Sequence, residues 1–266
     1  IILMPQTFGP FEQVAVRDAF LQVLEHADLV FARDKASYEN IRGIAGDCPH
    51  VRLAPDFTCF VQGSVPQHFC GNSLTRRACI IPSHRMLDSV SEETSRKYLS
   101  FLATCFDVFS ELGLSPFILV HETADAEVAK QLREKVKNNV AIVQEEDPLL
   151  LKGAIGSSHL LLSSRFHGLV NGLSQCVPSF ATAWAHKFRM IMEEYGCAEF
   201  VTEPGMGREE LRQLIVKLND ESSREKVVDG LRRTCRQNRA KTIAMWREIT
   251  DVLSITIRKW PFGTNN

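Results

Sequence analysis

The residues able to do chemistry cluster just after short apolar runs. The run 159–163 is followed by Ser164, Arg165, Phe166, His167 and Gly168, which lead into an apolar helical stretch. An arginine at a helix start offers a fixed fork of donors to a carboxylate or phosphate, and the unpaired backbone N–H groups there add to the attraction for an anion. His167, in the first turn, can give or take a proton near neutral pH. The competing reading is a histidine that caps or packs on its helix; the neighbours Ser163, Ser164 and Arg165 favour the functional one. The next turn repeats the theme, since the run 178–181 is followed by Thr182, Trp184, His186, Lys187 and Arg189. Basic groups on two consecutive turns suit an anionic ligand better than surface decoration.

Other turns carry weaker candidates. Arg33 and Asp34 follow the run 29–31; Asp34 reads as a helix cap, which leaves Arg33 able to face a cleft. The stiff loop 5–11 offers Gln6 as its polar contact, with Pro10 shaping it. Asp56 follows another apolar run and either orients a sugar hydroxyl or closes an Asx turn. Ser83, His84 and Arg85, and then His121 and Glu122, stand at two further strand ends.

Apolar runs alternating with amphipathic stretches predict an α/β fold. Strands are expected at 1–4, 29–31 and 51–54, with helices at 13–25 and 35–41. Residues 63–76, rich in Gly, Ser, Pro and Asn, read as a linker between domains, so that 1–62 belongs to a first domain. Beyond it lies a regular series over 77–235. It has strands at 78–81, 116–120, 140–143, 159–162 and 178–181, and helices at 92–112, 124–137, 148–156, 166–175, 187–195 and 209–219. Such a series makes a doubly wound parallel sheet, in which ligands bind beyond the carboxyl ends of the strands. A long helix is expected over 222–258, and the C-terminal helix and tail 236–266 are expected to pack back on the first domain.

Composition narrows the classes. Lys and Arg number 31 against 32 for Asp and Glu, and hydrophobic residues make up 44%, which excludes intrinsic disorder and a generally basic nucleic-acid binder. No apolar run approaches the ~20 residues of a membrane span. The basic stretch 224–247 reads as a solvated helix face, with at most a peripheral attraction to acidic lipid head groups. Eight dispersed cysteines without a Cys-x-x-Cys pair read as reduced thiols of a cytoplasmic protein and show no zinc spacing; no metal is expected. Neither a G-x-G-x-x-G fingerprint nor a Walker loop is present, which speaks against nicotinamide, flavin and P-loop chemistry.

These turns, taken together, resemble the polysaccharide pyruvyl transferase family. The matching segments are 5–11, 32–37, 54–57, 164–169 with Val177 and Pro178, and 186–189 leading to 192–196. The resemblance implies two Rossmann-like domains of GT-B type facing across a cleft. It implies phosphoenolpyruvate as donor, a sugar, glycan or lipid-linked oligosaccharide as acceptor, and no separate cofactor. By the same resemblance His167 is the acid/base, Arg165 and Arg33 clamp phosphate and carboxylate, and Lys187, His186 and Ser164 line the donor site. Gln6, Asp56 and His121 are the remaining expected contacts. The family's Gly-rich opening unit has no match here, and the Ile1 start points to a first domain whose initial strands precede this chain. Two rivals stay open: a nucleotide-sugar glycosyltransferase of the same architecture, and a non-catalytic member that binds anionic glycans.

Overall fold

Continuous apolar runs become strands here because sheet is covered on both faces. In the computed structural model, β1 (Ile2–Gln6), β2 (Leu29–Ala32) and β3 (Val51–Leu53) form a parallel sheet in that order, linked by α1 (Val14–His26) and α2 (Lys35–Ala45). Along β2, Val30 and Ala32 pack with Leu24 and Ile41, while Leu29 and Phe31 pack with Met245 and Ile249. All four β2 residues are therefore buried. Asp34 accepts from Ser37 N at 2.8 Å and caps α2, as its position before the helix implies.

The structure describes residues 1–69, 76–136 and 140–259, in two units: Ile1–Phe60 with the chain from Arg236 onward, and Val61–Cys235. The second unit holds β4 (Arg77–Ile81), α3 (Arg85–Asp88), α4 (Glu92–Glu111), β5 (Ser115–Val120), α5 (Ala126–Lys135), β6 (Ile142–Gln144) and α6 (Pro148–Gly156). It continues with β7 (Leu160–Ser163), α7 (Phe166–Ser174), β8 (Ser179–Thr182), α8 (His186–Glu194), β9 (Val201–Thr202) and α9 (Arg208–Asn219). The last helix, α10 (Glu221–Lys259), contributes to each unit in turn. The six strands of this sheet are parallel, in the order β6-β5-β4-β7-β8-β9. Strand order reverses between β4 and β7, which makes their carboxyl ends the topological switch point. The α/β class with two Rossmann-like sheets is as the sequence pattern implies.

Three expectations need correction. The sheet gains a sixth strand, β9, whose two residues are too short to leave an apolar run. The four-residue α3 escaped for the same reason. The segment 63–76, expected as a linker, belongs to the second unit in its described part. Ser64 N donates to Leu149 O at 2.9 Å, and Phe69 sits in the core under the Arg77 guanidinium, 4.7 Å from its ring centre. Gly63 and Ser64 serve close packing against Gly153. Residues 70–75 with Cys70, the expected helix end at 137 and the tail 260–266 lie outside the described residues.

A Cβ added at Gly153 would stand 2.0 Å from Ser64 O, and one at Gly63 2.3 Å from Gly153 N. Both obstacles are backbone, so neither can swing aside. Alanine at Gly153 gains about 0.8–1.0 kcal/mol of helix propensity, against an overpacking cost of about 1–3 kcal/mol. Gly153→Ala is therefore expected to lower the urea midpoint of unfolding, and an unchanged or raised midpoint would refute the close approach.

Candidate active site

The switch point between β4 and β7 is closed by a charged cluster. Arg165 occupies the N-cap position of α7 with extended backbone, its N–H turned to Ser163 Oγ at 3.1 Å. From there the Arg165 side chain reaches the loop after β5. Its Nε and one terminal nitrogen donate to the two carboxylate oxygens of Asp125 at 2.7 and 2.6 Å. The other terminal nitrogen lies 2.7 Å from Glu122 Oε2. Asp125 is wholly buried and also accepts from His84 N at 2.9 Å, while the His84 ring nitrogen Nδ1 stands 3.1 Å from Asp125 Oδ1 and 2.8 Å from Arg165. The loops after β4, β5 and β7 are thus tied together by one bidentate ion pair, the strong form of a charge-assisted hydrogen bond.

Around this tie lie the titratable groups. His121, at the end of β5, has both ring nitrogens buried and without a hydrogen-bond partner in the structure. Burial first, then the positive neighbours His167 and Arg165, push its pKa down to about 4, against an opposing pull from Glu122. A Cβ at Gly168 would come within 3.4 Å of the His121 ring and 2.7 Å of Ser163 Oγ, so only glycine lets α7 sit this close to the strand ends. His167 is exposed in the first turn of α7, its ring edge-on to Phe166 with centres 5.6 Å apart. Lys187 Nζ lies 5.2 Å above the Phe166 ring and 5.4 Å above that of Trp184, which brings a cation from the β8 turn to the β7 turn. His186 is exposed at the first residue of α8. No side chain caps α7 or α8, so the positive ends of both helices lie uncapped among these groups.

The other expected residues fall elsewhere. Ser164 is buried; its Oγ accepts from Tyr98 Oη at 2.8 Å and its carbonyl from Trp184 Nε1 at 3.0 Å, which makes it an internal tie rather than an exposed contact. Gln6, Arg33 and Asp56 stand at the carboxyl ends of β1, β2 and β3 in the first unit. Arg33 donates to Thr7 Oγ1 and lies 3.5 Å from Asp56 Oδ2. Asp56 closes an Asx turn on Thr58 N at 3.0 Å, and Gln6 is exposed. Sequence reasoning missed Asp125 and Tyr98. An acid at a helix start reads as a cap, yet Asp125 makes no cap bond to α5 and turns to Arg165 instead. Tyr98 carries no signal, being one apolar position among many in α4. Among the described residues no group of three or more His, Cys, Asp or Glu side chains could hold a metal ion.

Two parallel sheets flanked by helices make this an α/β protein with Rossmann-like units, and solved structures share that fold. The chain is similar to Anabaena HepE in complex with UDP-glucose, at 14% identity and TM-score 0.58, over 95% of this chain and 71% of that one. A putative UDP-N-acetylglucosamine 2-epimerase from Listeria monocytogenes gives 13% identity and TM-score 0.58, over 84% of this chain and 57% of that one. The GtfA/B complex gives 10% and 0.56, over 94% and 52%. This chain therefore spans little more than half the length of the last two. No curated protein matches it by sequence. A sequence model of the polysaccharide pyruvyl transferase family matches residues 1–186, and the chain belongs to that family.

Two outcomes test this geometry. Removing one member of a buried ion pair leaves the other charge uncompensated, at about 3–5 kcal/mol. Glu122 still faces Arg165, so Asp125→Ala is expected to cost the lower end of that range in urea unfolding. The second concerns pH. His121 and His159 both titrate near 4 when folded, against an ordinary 6.5, each mainly through burial. Between those values the unfolded chain binds protons that the folded one does not, so stability is complete above about pH 6.5 and lost as pH falls toward 4. His121→Gln should flatten part of that fall in midpoints measured from pH 7 to 4.5.

Proposed function

We propose that this chain binds phosphoenolpyruvate at the carboxyl edge of its six-stranded sheet and transfers the enolpyruvyl group to a sugar, forming a pyruvate ketal and releasing phosphate. The observation that carries this reading is the convergence of His121, His167, Arg165 and Lys187 with two uncapped helix starts. A donor with a carboxylate and a phosphate on neighbouring atoms needs several positive groups and a proton carrier within a few ångströms. Membership of a pyruvyl-transferring family supplies the group to be moved.

In this scheme one sugar hydroxyl adds to C2 of the enol while the methylene carbon takes a proton and becomes the methyl group. The C2–O bond to phosphate breaks, phosphate leaves with the bond pair, and a second hydroxyl closes the ketal. Of the two hydroxyl protons, one replaces that given to the methyl and the other leaves with phosphate. His167, exposed in the first turn of α7, is the proposed acid/base. Arg165 and Lys187 hold the anionic groups, with His186 behind them, and neutral His121 gives or accepts a hydrogen bond. Arg33 is proposed as an anion contact of the first unit, with Gln6 and Asp56 as sugar contacts. The acceptor is a glycan or its lipid-linked precursor, and the cytoplasm, where phosphoenolpyruvate is made, is the proposed compartment. No helix of the described residues is long and apolar enough to cross a membrane.

Calorimetric titration is the first test: saturable binding of phosphoenolpyruvate without nucleotide is expected, whereas binding of UDP alone would favour the nucleotide-sugar reading. Phosphate release with candidate sugars is the second. Loss of a general acid/base typically costs about 10²–10⁴-fold. His167→Ala should fall in that range while still binding donor, and near-normal turnover would remove His167 from the role.

A further inference from the structure

Arg165 is held by two carboxylates of opposite character. Asp125 is wholly buried and takes two guanidinium nitrogens in a bidentate pair. Glu122 takes the third nitrogen, at 2.7 Å, from a side chain that is 52% exposed. A buried, doubly bonded carboxylate is a fixture, because removing it strands a charge. A half-exposed carboxylate on a single nitrogen is held weakly, since water and salt screen it and its side chain loses entropy by staying. The nitrogen it covers is committed neither to Asp125 nor to His84.

We propose that Glu122 is a displaceable stand-in for the ligand's own anionic group. In the ligand-free protein its carboxylate occupies the outer nitrogen of Arg165; a carboxylate or phosphate of the incoming donor takes that position, and Glu122 swings into solvent. Asp125 already neutralises the guanidinium, so what the exchange preserves is a partner for the third nitrogen of Arg165, an acidic oxygen before and after the ligand arrives. It also sets a threshold: an anion must outcompete a tethered carboxylate, which favours phosphorylated ligands over simple monocarboxylates. This inference deepens the proposed donor site and rests on that reading for the identity of the natural ligand.

The sign of one substitution decides it. Glu122→Gln keeps the shape of the side chain and removes its charge. Exposed ion pairs contribute up to about 1 kcal/mol, so release of Glu122 is expected to tighten binding by up to about fivefold. The measurement is calorimetric titration of the full chain with inorganic phosphate and with phosphoenolpyruvate, in wild type, Glu122→Gln and Glu122→Asp, with unfolding midpoints to verify folding. Tighter binding of both anions to Glu122→Gln, with Glu122→Asp closer to wild type, and a gap that narrows at high salt, supports the stand-in. Weaker binding would show that Glu122 orients Arg165 for the ligand and would overturn it, as would unchanged binding. If phosphate binding tightens while phosphoenolpyruvate fails to bind wild type, the donor assignment falls and the stand-in survives. If phosphoenolpyruvate binds wild type and Glu122→Gln binds neither anion more tightly, the donor assignment survives and the stand-in falls.

Discussion

The second unit is organised around the ion pair of Asp125 with Arg165. Burying a carboxylate and a guanidinium costs several kcal/mol each before their attraction returns any of it. The cost is offset only by near-complete satisfaction: both Asp125 oxygens and all three guanidinium nitrogens have partners, drawn from the loops after β4, β5 and β7. What such a pair contributes is geometry rather than net stability. It fixes three strand ends that the topology leaves splayed at the switch point, and it fixes the start of α7.

The start of α7 in turn positions the first turn of the helix. With Arg165 extended at the N-cap and Ser163 Oγ bonded to both its N–H and its carbonyl, the next residues enter the helix in a set orientation. Phe166 is directed toward Lys187 and Phe188, His167 outward, and Gly168 down onto Ser163, Ile81 and His121. Tyr98 secures the same corner from beneath, accepting from Ser83 N at 3.0 Å and donating to Ser164. Its phenol is held neutral by burial, which pushes the pKa up. Loops after β4 and β7 are therefore joined twice, once by charge and once through a neutral hydroxyl.

How much of this was legible in the sequence depends on the range of each interaction. Strands and helices were legible because apolar period and caps are local: Asp34 before α2 and the four-residue run of β2 need no distant partner to be read. The grouping of His167 and Lys187 was legible because both lie just beyond strands that are neighbours in the sheet. The partners of Arg165 were not. Asp125 is 40 residues away and Tyr98 66 residues from Ser164, and nothing in their local context separates them from a cap or a core aromatic. The segment 63–76 misled for a related reason. Small residues read as flexible loop, whereas Gly63 is there because the backbone of Gly153 passes within the space of a methyl group.

The charge balance of the site also divides the labour among its groups. Arg165 is outnumbered by Asp125 and Glu122, one positive charge to two negative, so the cluster adds no net attraction for an anion at a distance; the value of Arg165 lies in a rigid array of donors at contact range. Long-range attraction falls to the positive ends of α7 and α8, joined by Lys187 held over Phe166 and Trp184. His121 cannot share that task, because a pKa near 4 keeps it neutral in any ordinary medium. A neutral imidazole offers one donor and one acceptor and so suits a hydroxyl or a carbonyl better than a phosphate oxygen. His167, exposed to water in the first turn of α7, keeps access to solvent protons. On the proposed reading, attraction, orientation, hydrogen bonding and proton transfer are thus assigned to different residues by burial alone, and burial is set by how closely Gly168 lets α7 approach the sheet.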